Sequence, residues 1–485
     1  MMRFMMRVGP VQRLAVAMHA ILLFTLAPVA LAAPNILIIF ADDLGVETLA
    51  SYGGKSYSTP ALDQLAAQGL RFENAHATPL CTPSRVMLLT GMDSWRNYTD
   101  FAYLAPGEQT FAHMLQRAGY RTMAAGKWQL VSNKYQSLQG MSPAAAGFDE
   151  YALWQIVARD DETDRYWGPT IEVSGELVEH GTNQYGPDLF SSALTEFITQ
   201  SSAMGQPFLA YYPMVLPHRP FAATPDHRDS GDNQENFAAM VAYMDGIVGR
   251  LLSTLERSGV ADNTLVLFIG DNGTDRKISS IRAGSPTAGG KALTLQSSTH
   301  VPFIVRWPGV VAAGSVSDAL VYLADVFPTL AEISATPEGP PSGARDPDID
   351  GQSLLPLLTG DGAENWQRDS LFMHYDPRWS DLVPARYAFD RRWKLYEGGR
   401  MFDIQSDKLE QHALDMAALS APASEARQRL QRRLDRAGGA LSGILSPQSQ
   451  YRRDRDRRRT LIGLSLVVLA GLWYRRRRYR ESTIS

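Results

Sequence analysis

The sequence has almost no cysteine: Cys81 is the single one among 485 residues. One thiol cannot form an internal disulfide, which excludes the folds that rest on a disulfide framework. Charged residues make up 20% of the chain, whereas 45% of it is hydrophobic and 9% aromatic. This composition can bury a core, so wholesale disorder is excluded, and 39 Gly are too few for a collagen-like chain.

A strong overall charge is also missing, since the formal net charge is −4. Residues 452–485 hold eleven Arg against three acids, a net of +8, and residues 1–32 add three Arg. The body of the chain, residues 33–451, therefore carries a net charge of −15. Its mean field repels phosphates, which argues against nucleic acid as a partner. An anionic substrate would need a local cluster of cations or a metal.

The N-terminus has the pattern of an export signal. Residues 1–32 contain Arg3, Arg7 and Arg13, then an apolar run, with Ala30 and Ala32 at the spacing that a signal peptidase reads. We predict a cleaved signal peptide, with a retained N-terminal membrane anchor as the alternative.

The C-terminus has a second apolar segment between basic ones. We predict a basic linker over 441–459, a short hydrophobic helix over 460–474 and a basic tail over 475–485. The tail fits the cytoplasmic side under the positive-inside rule. We therefore expect an exported protein of the periplasm or cell envelope, tethered to the membrane at its C-terminus; a basic amphipathic or nucleic-acid-binding tail is the alternative.

The body alternates apolar runs with helical patterns, which predicts an α/β fold. Asn35–Phe40 and Thr264–Ile269 are continuously apolar, as in strands of a parallel sheet that are buried on both faces. We predict a large, mostly parallel sheet flanked by helices over residues 33–360, and a smaller C-terminal α+β domain over 361–440. The predicted helices are Thr59–Gly69, Thr110–Gly119, Phe237–Gly259 and Ala423–Ala437.

Oxygen-bearing side chains follow two of the predicted strands. Asp42 and Asp43 come after the first strand, and Asp271 and Asn272 after the strand at 264–269. Ligands of open α/β sheets bind at the carboxyl ends of strands, and carboxylate and amide oxygens suit Ca²⁺ or Mg²⁺. Taken alone, each pair is more often a turn or a helix cap. Together they favour a metal site if the two strands are neighbours.

The run Cys81-Thr82-Pro83-Ser84-Arg85 is the most specific motif in the chain, and Leu-Thr-Gly at 89–91 completes it. On its own a lone cysteine would be a small buried apolar residue. With its flanking motifs, the sequence resembles the formylglycine-dependent sulfatases of the alkaline phosphatase superfamily over about 33–410. The supporting motifs are PNILIIFADDLG from Pro34, GKW at 126–128, PH at 217–218, DNG at 271–273 and GGK at 289–291.

The resemblance implies an alkaline-phosphatase-like fold and a modified nucleophile. A maturation enzyme would convert Cys81 to formylglycine, and one hydroxyl of the hydrated aldehyde would attack sulfur while the other later expels sulfate. A divalent cation, usually Ca²⁺ with Mg²⁺ as the alternative, would lower the pKa of that hydroxyl. The implied metal ligands are Asp42, Asp43, Cys81, Asp271 and Asn272.

The same resemblance assigns roles to four cationic or titratable residues. Arg85 would brace the nucleophile, Lys127 and Lys291 would bind the sulfate group, and His218 would donate a proton to the ester oxygen. These cations and the metal would supply the local positive charge that the acidic body requires. The other histidines have no motif support and are predicted to be structural or exposed.

One position departs from the family pattern. The family usually has His after Gly-Lys-Trp, whereas this chain has Gln129. Glutamine can hydrogen-bond the hydrated aldehyde but cannot take a proton, so the base for sulfate release is in doubt. We interpret Gln129 as a tolerated variant within the site.

We therefore predict a sulfuric ester hydrolase for sulfate monoesters, with sulfated carbohydrate as one candidate substrate. Two alternatives stay open: a formylglycine-dependent phosphonate or phosphodiester hydrolase, and a non-catalytic envelope protein that binds sulfated glycans with Cys81 unconverted. The aromatic residues Tyr151, Trp154, Tyr166 and Trp167 are equally compatible with a sugar-binding face and with core packing.

Overall fold

A computed structural model describes residues 33–131, 139–155, 165–334, 349–378 and 382–438. The predicted signal peptide, the basic linker, the short hydrophobic helix and the basic tail lie outside the described residues. The domain bounds proposed from the sequence remain predictions.

The described residues contain sixteen strands in three sheets. In chain order they are β1 Asn35–Ala41, β2 Leu70–His76, β3 Arg121–Lys127, β4 Glu150–Trp154, β5 Thr170–Val173, β6 Glu176–Glu179, β7 Phe208–Pro213, β8 Thr264–Gly270, β9 Ser279–Arg282, β10 Ser285–Ala288, β11 Phe303–Arg306, β12 Ser315–Tyr322, β13 Leu371–Tyr375, β14 Ala385–Phe389, β15 Trp393–Tyr396 and β16 Met401–Asp403.

Ten strands form the main sheet, in the order β12-β2-β11-β8-β1-β7-β3-β4-β5-β6. The central run β8-β1-β7-β3-β4 is parallel, and so is the β12–β2 pair. Strand β11 is antiparallel to both of its neighbours, and the β4–β5 and β5–β6 pairs are antiparallel as well. The predicted α/β class with a mainly parallel sheet is confirmed, and the structure adds antiparallel margins that the apolar pattern did not indicate.

Helices cover both faces of this sheet. In chain order the α-helices of the described residues are α1 Pro60–Ala67, α2 Cys81–Thr90, α3 Ser94–Asn97, α4 Phe111–Arg117, α5 Gly186–Ala203, α6 Asn233–Arg257, α7 Gln296–Thr299, α8 Val326–Ile333, α9 Leu355–Thr359 and α10 at 421–438.

Strand β1 shows why its sequence is continuously apolar. Ile36, Ile38 and Phe40 enter one hydrophobic core, whereas Leu37 and Ile39 enter the core on the opposite face. Each of these side chains is fully buried, which stabilises the fold by roughly 1.5–3 kcal/mol per residue. A strand buried on both faces cannot alternate with polar residues, so the apolar run identified it correctly.

Helix α6 begins four residues before the predicted start. Asp232 caps it by accepting hydrogen bonds from the backbone N–H groups of Gln234 and Glu235. The apolar pattern begins only at Phe237, which is why the prediction started there. Among the described residues, α6 is the one helix long and apolar enough to span a membrane by length and composition, and 56% of its apolar window is buried in the protein.

The C-terminal region forms a four-stranded antiparallel sheet in the order β13-β14-β15-β16. Helix α10 packs on one face of this sheet through Ala426, Leu430 and Leu434. The opposite face meets the main core through Tyr387 and Phe402. This small α+β unit is therefore fixed against the main sheet.

The aromatic residues left open by the sequence are mainly part of the core. Trp154 and Tyr166 are at most 1% exposed, and Tyr151 is buried as well. Trp167 is half-buried, and its Nε1 donates a hydrogen bond to the backbone oxygen of Ala223. Core packing therefore accounts for the first three of these side chains.

Two carboxylates meet at the C-terminal end of α2. The backbone N–H of Asp93 donates to Asp350 Oδ2 at 2.8 Å, and Trp95 Nε1 donates to Asp93 Oδ2 at 3.3 Å. Asp93 Oδ1 is buried with no hydrogen-bond partner among the described residues. Burial, together with the charge of Asp350, raises the pKa of Asp93 to about 7.

We expect Asp93→Asn to stabilise the protein increasingly as pH rises. The folded state holds the Asp93 proton up to about pH 7, whereas the ordinary pKa is 3.8. The stability that the wild type gains from holding this proton is therefore fully present below pH 3.8 and is lost as the pH rises from 3.8 to about 7. Asparagine mimics the protonated form, and the gain at pH 8 should be on the order of 2–4 kcal/mol. Thermal unfolding of both proteins from pH 5 to 8 measures it. Asp415→Asn, at an exposed position, is the control, and a pH-independent difference for Asp93→Asn would contradict the assignment.

Candidate functional site

Cys81 is the first residue of α2 and is only 2% exposed. The turn before it is fixed by Ser84, whose Oγ accepts from the backbone N–H of Thr78 at 3.0 Å, while Thr78 Oγ1 donates to the oxygen of Leu80 at 2.8 Å. Pro83 lies in the first turn of the helix, where a missing backbone N–H costs nothing. The motif residues thus place Cys81 at a helix N-terminus, where the backbone N–H groups favour an anion.

Arg85 lies one helical turn after Cys81 and connects three elements. Its Nη1 donates to the backbone oxygen of Lys127 at 3.1 Å, and its Nη2 donates to Asp271 Oδ2 at 3.2 Å. The guanidinium also lies 5.6 Å from the centre of the Phe40 ring. The side chain is 1% exposed, so these contacts replace the hydration of its two Nη groups and hold α2 against the ends of β3 and β8.

The predicted metal ligands meet because β1 and β8 are adjacent parallel strands, with Ala41 opposite Gly270. The backbone N–H of Asp43 donates to Asp271 Oδ1 at 2.9 Å, and Asn272 Nδ2 donates to Asp43 Oδ1 at 2.8 Å. Asp42, Asp43, Asp271 and Asn272 are each at most 1% exposed. Three carboxylates are thus buried side by side at this edge of the sheet.

Lysine side chains compensate two of these carboxylates. Lys127 Nζ lies 3.0 and 2.8 Å from the two oxygens of Asp42, and Lys291 Nζ lies 2.6 Å from Asp43 Oδ2. Burial tends to raise the pKa of Asp42, but Lys127 and the other nearby cations outweigh it and hold that pKa below its usual value. Burial dominates at Asp43 and Asp271 and raises the pKa of both carboxyls.

The arrangement of oxygens fits a hard divalent cation. Ligand atoms of Asp42, Cys81 and Asp271 lie within 4.8 Å of one another, and so do those of Asp42, Asp43 and His218. Asn272 Oδ1 is buried and accepts no hydrogen bond from any described residue. An unsatisfied buried oxygen beside three carboxylates is what a bound Ca²⁺ or Mg²⁺ would use.

Gln129 faces the cysteine. Its side-chain Oε1 lies 3.5 Å from Cys81 Sγ, and its backbone has a φ of +53°, which a non-glycine residue adopts only at some cost. Phe101 and Ala102 contact Cys81 from another side. Gln129 therefore lies beside Cys81.

His218 reaches the same carboxylates from the segment after β7. Its Nε2 lies 3.6 Å from Asp43 Oδ2, and its Nδ1 lies 2.9 Å from Arg165 Nη1. Burial, and then the charge of Lys291, lowers the pKa of His218 well below its usual value, which favours the neutral ring. The guanidinium of Arg165 is 4.2 Å from the centre of the Trp154 ring.

The structure brings every predicted site residue into one network of contacts. The members are Asp42, Asp43, Cys81, Arg85, Lys127, Gln129, His218, Asp271, Asn272 and Lys291. Two contributors were missed by the sequence reasoning. Thr274 Oγ1 accepts from the backbone N–H of Gly45 at 3.0 Å, and its place just after Asp271-Asn272-Gly273 could have indicated it. Arg165 belongs to no motif, and nothing in the sequence singled it out.

Chemically, the arrangement suits a small tetrahedral anion next to Cys81. Three cationic side chains, a helix N-terminus and a group of buried carboxylate and amide oxygens lie around Cys81, and water is largely excluded. In such a site fixed charges act at low effective dielectric and need little reorganisation during a reaction.

Comparison with known proteins gives a consistent result. The family profile described as Sulfatase matches residues 34–334, and that of the C-terminal domain of N-sulphoglucosamine sulphohydrolase matches residues 290–437. Among curated relatives, human N-acetylgalactosamine-6-sulfatase is 32% identical over 354 residues. That alignment covers 67% of this chain and 66% of the human protein, so about a third of the relative's length is unmatched.

Solved structures share the fold at low sequence identity. A protein in complex with its substrate D-glucosamine-2-N,6-O-disulfate has a TM-score of 0.67 and 20% identity, covering 85% of this chain and 98% of that one. The phosphonate monoester hydrolase of Agrobacterium radiobacter has a TM-score of 0.61 and 20% identity, covering 84% and 96%. These two likenesses concern the fold alone.

We expect Ca²⁺ to raise the melting temperature of the protein and EDTA to lower it, because a bound cation relieves the repulsion among the three buried carboxylates. At a Ca²⁺ concentration about 100-fold above Kd, the stabilisation should be about 2.7 kcal/mol. Asp271→Asn should reduce this shift strongly. The control is Asp245→Asn in α6, which replaces a buried carboxylate that accepts hydrogen bonds from the backbone N–H groups of Ala61 and Leu62, and it should keep the shift. Equal Ca²⁺ shifts in the two variants would contradict the assignment.

Proposed function

Because the chain belongs to the sulfatase family, we propose that it is a sulfuric ester hydrolase that cleaves sulfate monoesters. The observation that carries this proposal is the convergence on Cys81 of three carboxylates, Asn272, two lysines and an arginine at the N-terminus of α2. A sulfate ester has the charge and the tetrahedral shape that this arrangement would bind.

We assign the cation to Asp42, Asp43, Asp271 and Asn272, beside residue 81, and Ca²⁺ is the ion we favour. Their oxygens fit it, since Asn272 Oδ1 is buried and otherwise unsatisfied. When bound, the cation would polarise a sulfate oxygen and lower the pKa of a neighbouring hydroxyl, and a formylglycine at 81 would supply a hydroxyl nucleophile that the reaction regenerates.

The remaining work falls to side chains of the chain itself. The ammonium of Lys291 makes one bond to Asp43, so two of its three N–H groups can bind sulfate oxygens. Lys127, at the end of β3, would bind the same sulfate group. His218 would have to be protonated on both ring nitrogens before it donates the proton of Nε2, the nitrogen that faces the carboxylates, to the leaving oxygen and returns to the neutral ring. Arg85 would hold α2 and the backbone of Lys127 in a fixed position relative to each other.

We propose sulfated carbohydrate as the substrate class. The name of the human relative, an N-acetylgalactosamine-6-sulfatase, supports this, and so does the disulfated glucosamine in the complex that shares the fold. Sulfated amino sugars are therefore the first substrates to assay, beside simple aryl sulfates. The enzyme that converts Cys81 would be an obligatory partner, and export with a membrane tether at 460–474 remains our prediction for the location.

We expect the peptide that contains residue 81 to be about 18 Da lighter than the unmodified peptide, because conversion of Cys81 to formylglycine replaces its thiol by an aldehyde. Mass spectrometry of protein made with a maturation enzyme measures the shift. The converted protein should release sulfate from sulfated substrates, and Cys81→Ala should lower kcat/KM at least about 10³-fold. The matched control is the same chain made without the maturation enzyme.

Two outcomes would contradict this proposal in different ways. An intact thiol in protein from its natural host would favour a non-catalytic, glycan-binding role. A higher kcat/KM on an aryl phosphodiester than on the matching aryl sulfate would favour the second candidate, a phosphonate or phosphodiester hydrolase. That candidate is supported by the fold shared with the phosphonate monoester hydrolase.

We expect Gln129→His to accelerate sulfate release. Gln129 lies 3.5 Å from Cys81 Sγ and cannot accept a proton, whereas a histidine there could act as a general base, which is typically worth about 10²–10⁴-fold. In the wild type we expect a burst of alcohol release followed by slower turnover. Stopped-flow kinetics with an aryl sulfate should show a smaller burst and a higher kcat in Gln129→His. Gln129→Asn is the control, and an unchanged kcat in Gln129→His would contradict the assignment.

A further inference from the structure

The segment that carries Lys291 is held from the outside by the C-terminal sheet. The hydroxyl of Tyr375, at the end of β13, donates to the backbone oxygen of Ala292 at 2.8 Å. On the inner side, the backbone N–H of Lys291 donates to the oxygen of Thr274 at 3.0 Å. Lys291 therefore lies between the segment that follows β8 and the C-terminal sheet.

A buried ion pair holds the same segment three residues further on. Lys394, in β15, is 2% exposed, and its ammonium lies 2.7 Å from Glu410 Oε1 and donates to the backbone oxygen of Thr294. The Tyr396 hydroxyl lies 2.8 Å from Thr294 Oγ1 and 2.6 Å from Glu410 Oε2. Tyr387 supplies an aromatic face 4.0 Å from the Lys394 ammonium.

Burying the charged groups of Lys394 and Glu410 costs free energy of desolvation. Burial lowers the pKa of Lys394 to about 8 although Glu410 favours its charged form, so desolvation outweighs the attraction at that group. Apolar residues of similar volume often replace such pairs without loss of stability. Apolar residues, however, could not form hydrogen bonds with the backbone oxygen and the hydroxyl of Thr294. They would therefore not fix the chain beside Lys291.

The position of Lys291 needs such fixing because a lysine stem has four rotatable bonds. Its Nζ must stay near Asp43, at 2.6 Å, and still face the substrate. A displacement of about 1 Å in a catalytic side chain can cost about 10²-fold in rate. Contacts that fix the backbone at 292 and 294 limit where the ammonium can lie.

We propose that Tyr375, Lys394, Tyr396 and Glu410, called the Thr294 clamp, are positioning residues that set the location of Lys291. Through this clamp the C-terminal sheet determines how tightly the site holds a sulfate group that the clamp never touches. The inference rests on the proposed function, since it takes Lys291 as a ligand of sulfate.

The test compares two tyrosine-to-phenylalanine variants in the same sheet. Tyr396→Phe removes a hydroxyl of the clamp. Tyr387→Phe removes a buried hydroxyl that has no hydrogen-bond partner among the described residues, and it leaves the ring next to Lys394 in place. In the Ca²⁺-loaded, converted protein, Tyr396→Phe should raise the KM for an aryl sulfate and the Ki for inorganic sulfate together, about three- to tenfold, the effect of one lost hydrogen bond. Tyr387→Phe should leave both constants within about twofold of the wild type.

A second variant covers the case in which a single change destabilises the sheet. Lys394→Met combined with Glu410→Gln removes both charges at similar volume and should raise the same two constants while the melting temperature stays close to that of Tyr387→Phe. Equal KM and Ki values in Tyr396→Phe and Tyr387→Phe would overturn the inference. Calorimetry with inorganic sulfate needs no turnover, so a wild type that binds sulfate but cleaves no sulfate ester would contradict the proposed function and not the clamp.

Discussion

Three carboxylates buried at one edge of the sheet are the constraint on which the rest of the site depends. Moving Asp42, Asp43 and Asp271 out of water costs several kcal/mol each unless opposite charges accompany them. Those charges come from α2, from the end of β3 and from the segment before α7. The need to compensate the carboxylates therefore holds these separate elements together, and the same contacts that satisfy the fold assemble the site.

Local patterns were enough to predict the parts of the site that lie at the ends of buried strands. Asp42 and Asp271 each follow a continuously apolar run, so their place at a strand end could be read from the sequence. That β1 and β8 are neighbours could not, because 229 residues separate Asp43 from Asn272 and no periodicity encodes which strands pair. The resemblance to a known family supplied that long-range information, and the geometry agrees with it.

Other contacts had no signal that a single sequence could carry. Arg165 reaches His218 across 53 residues, and Lys394 reaches Thr294 across 100, each through one side chain with no motif around it. Strand β6 is exposed along its whole length, so no apolar run marks it, and the antiparallel margin of the sheet was missed. The predicted start of helix α6 was four residues too late, because the helix start is set by a cap at Asp232 and not by apolar residues. Long-range pairing and capping decide these features, and hydrophobic periodicity reports neither.

The charge balance of the site explains how an acidic body can serve an anionic substrate. Without a metal, three carboxylates face Arg85, Lys127 and Lys291, so the centre is close to neutral and each lysine is committed to an aspartate. A divalent cation on the same oxygens would make the centre net positive and would take over the compensation of Asp43. Lys291 would keep its bond to Asp43 and direct its two other N–H groups to sulfate oxygens while its backbone contacts hold it in place. The same two lysines that compensate Asp42 and Asp43 within the fold are thus the ones that the proposed function assigns to the sulfate group.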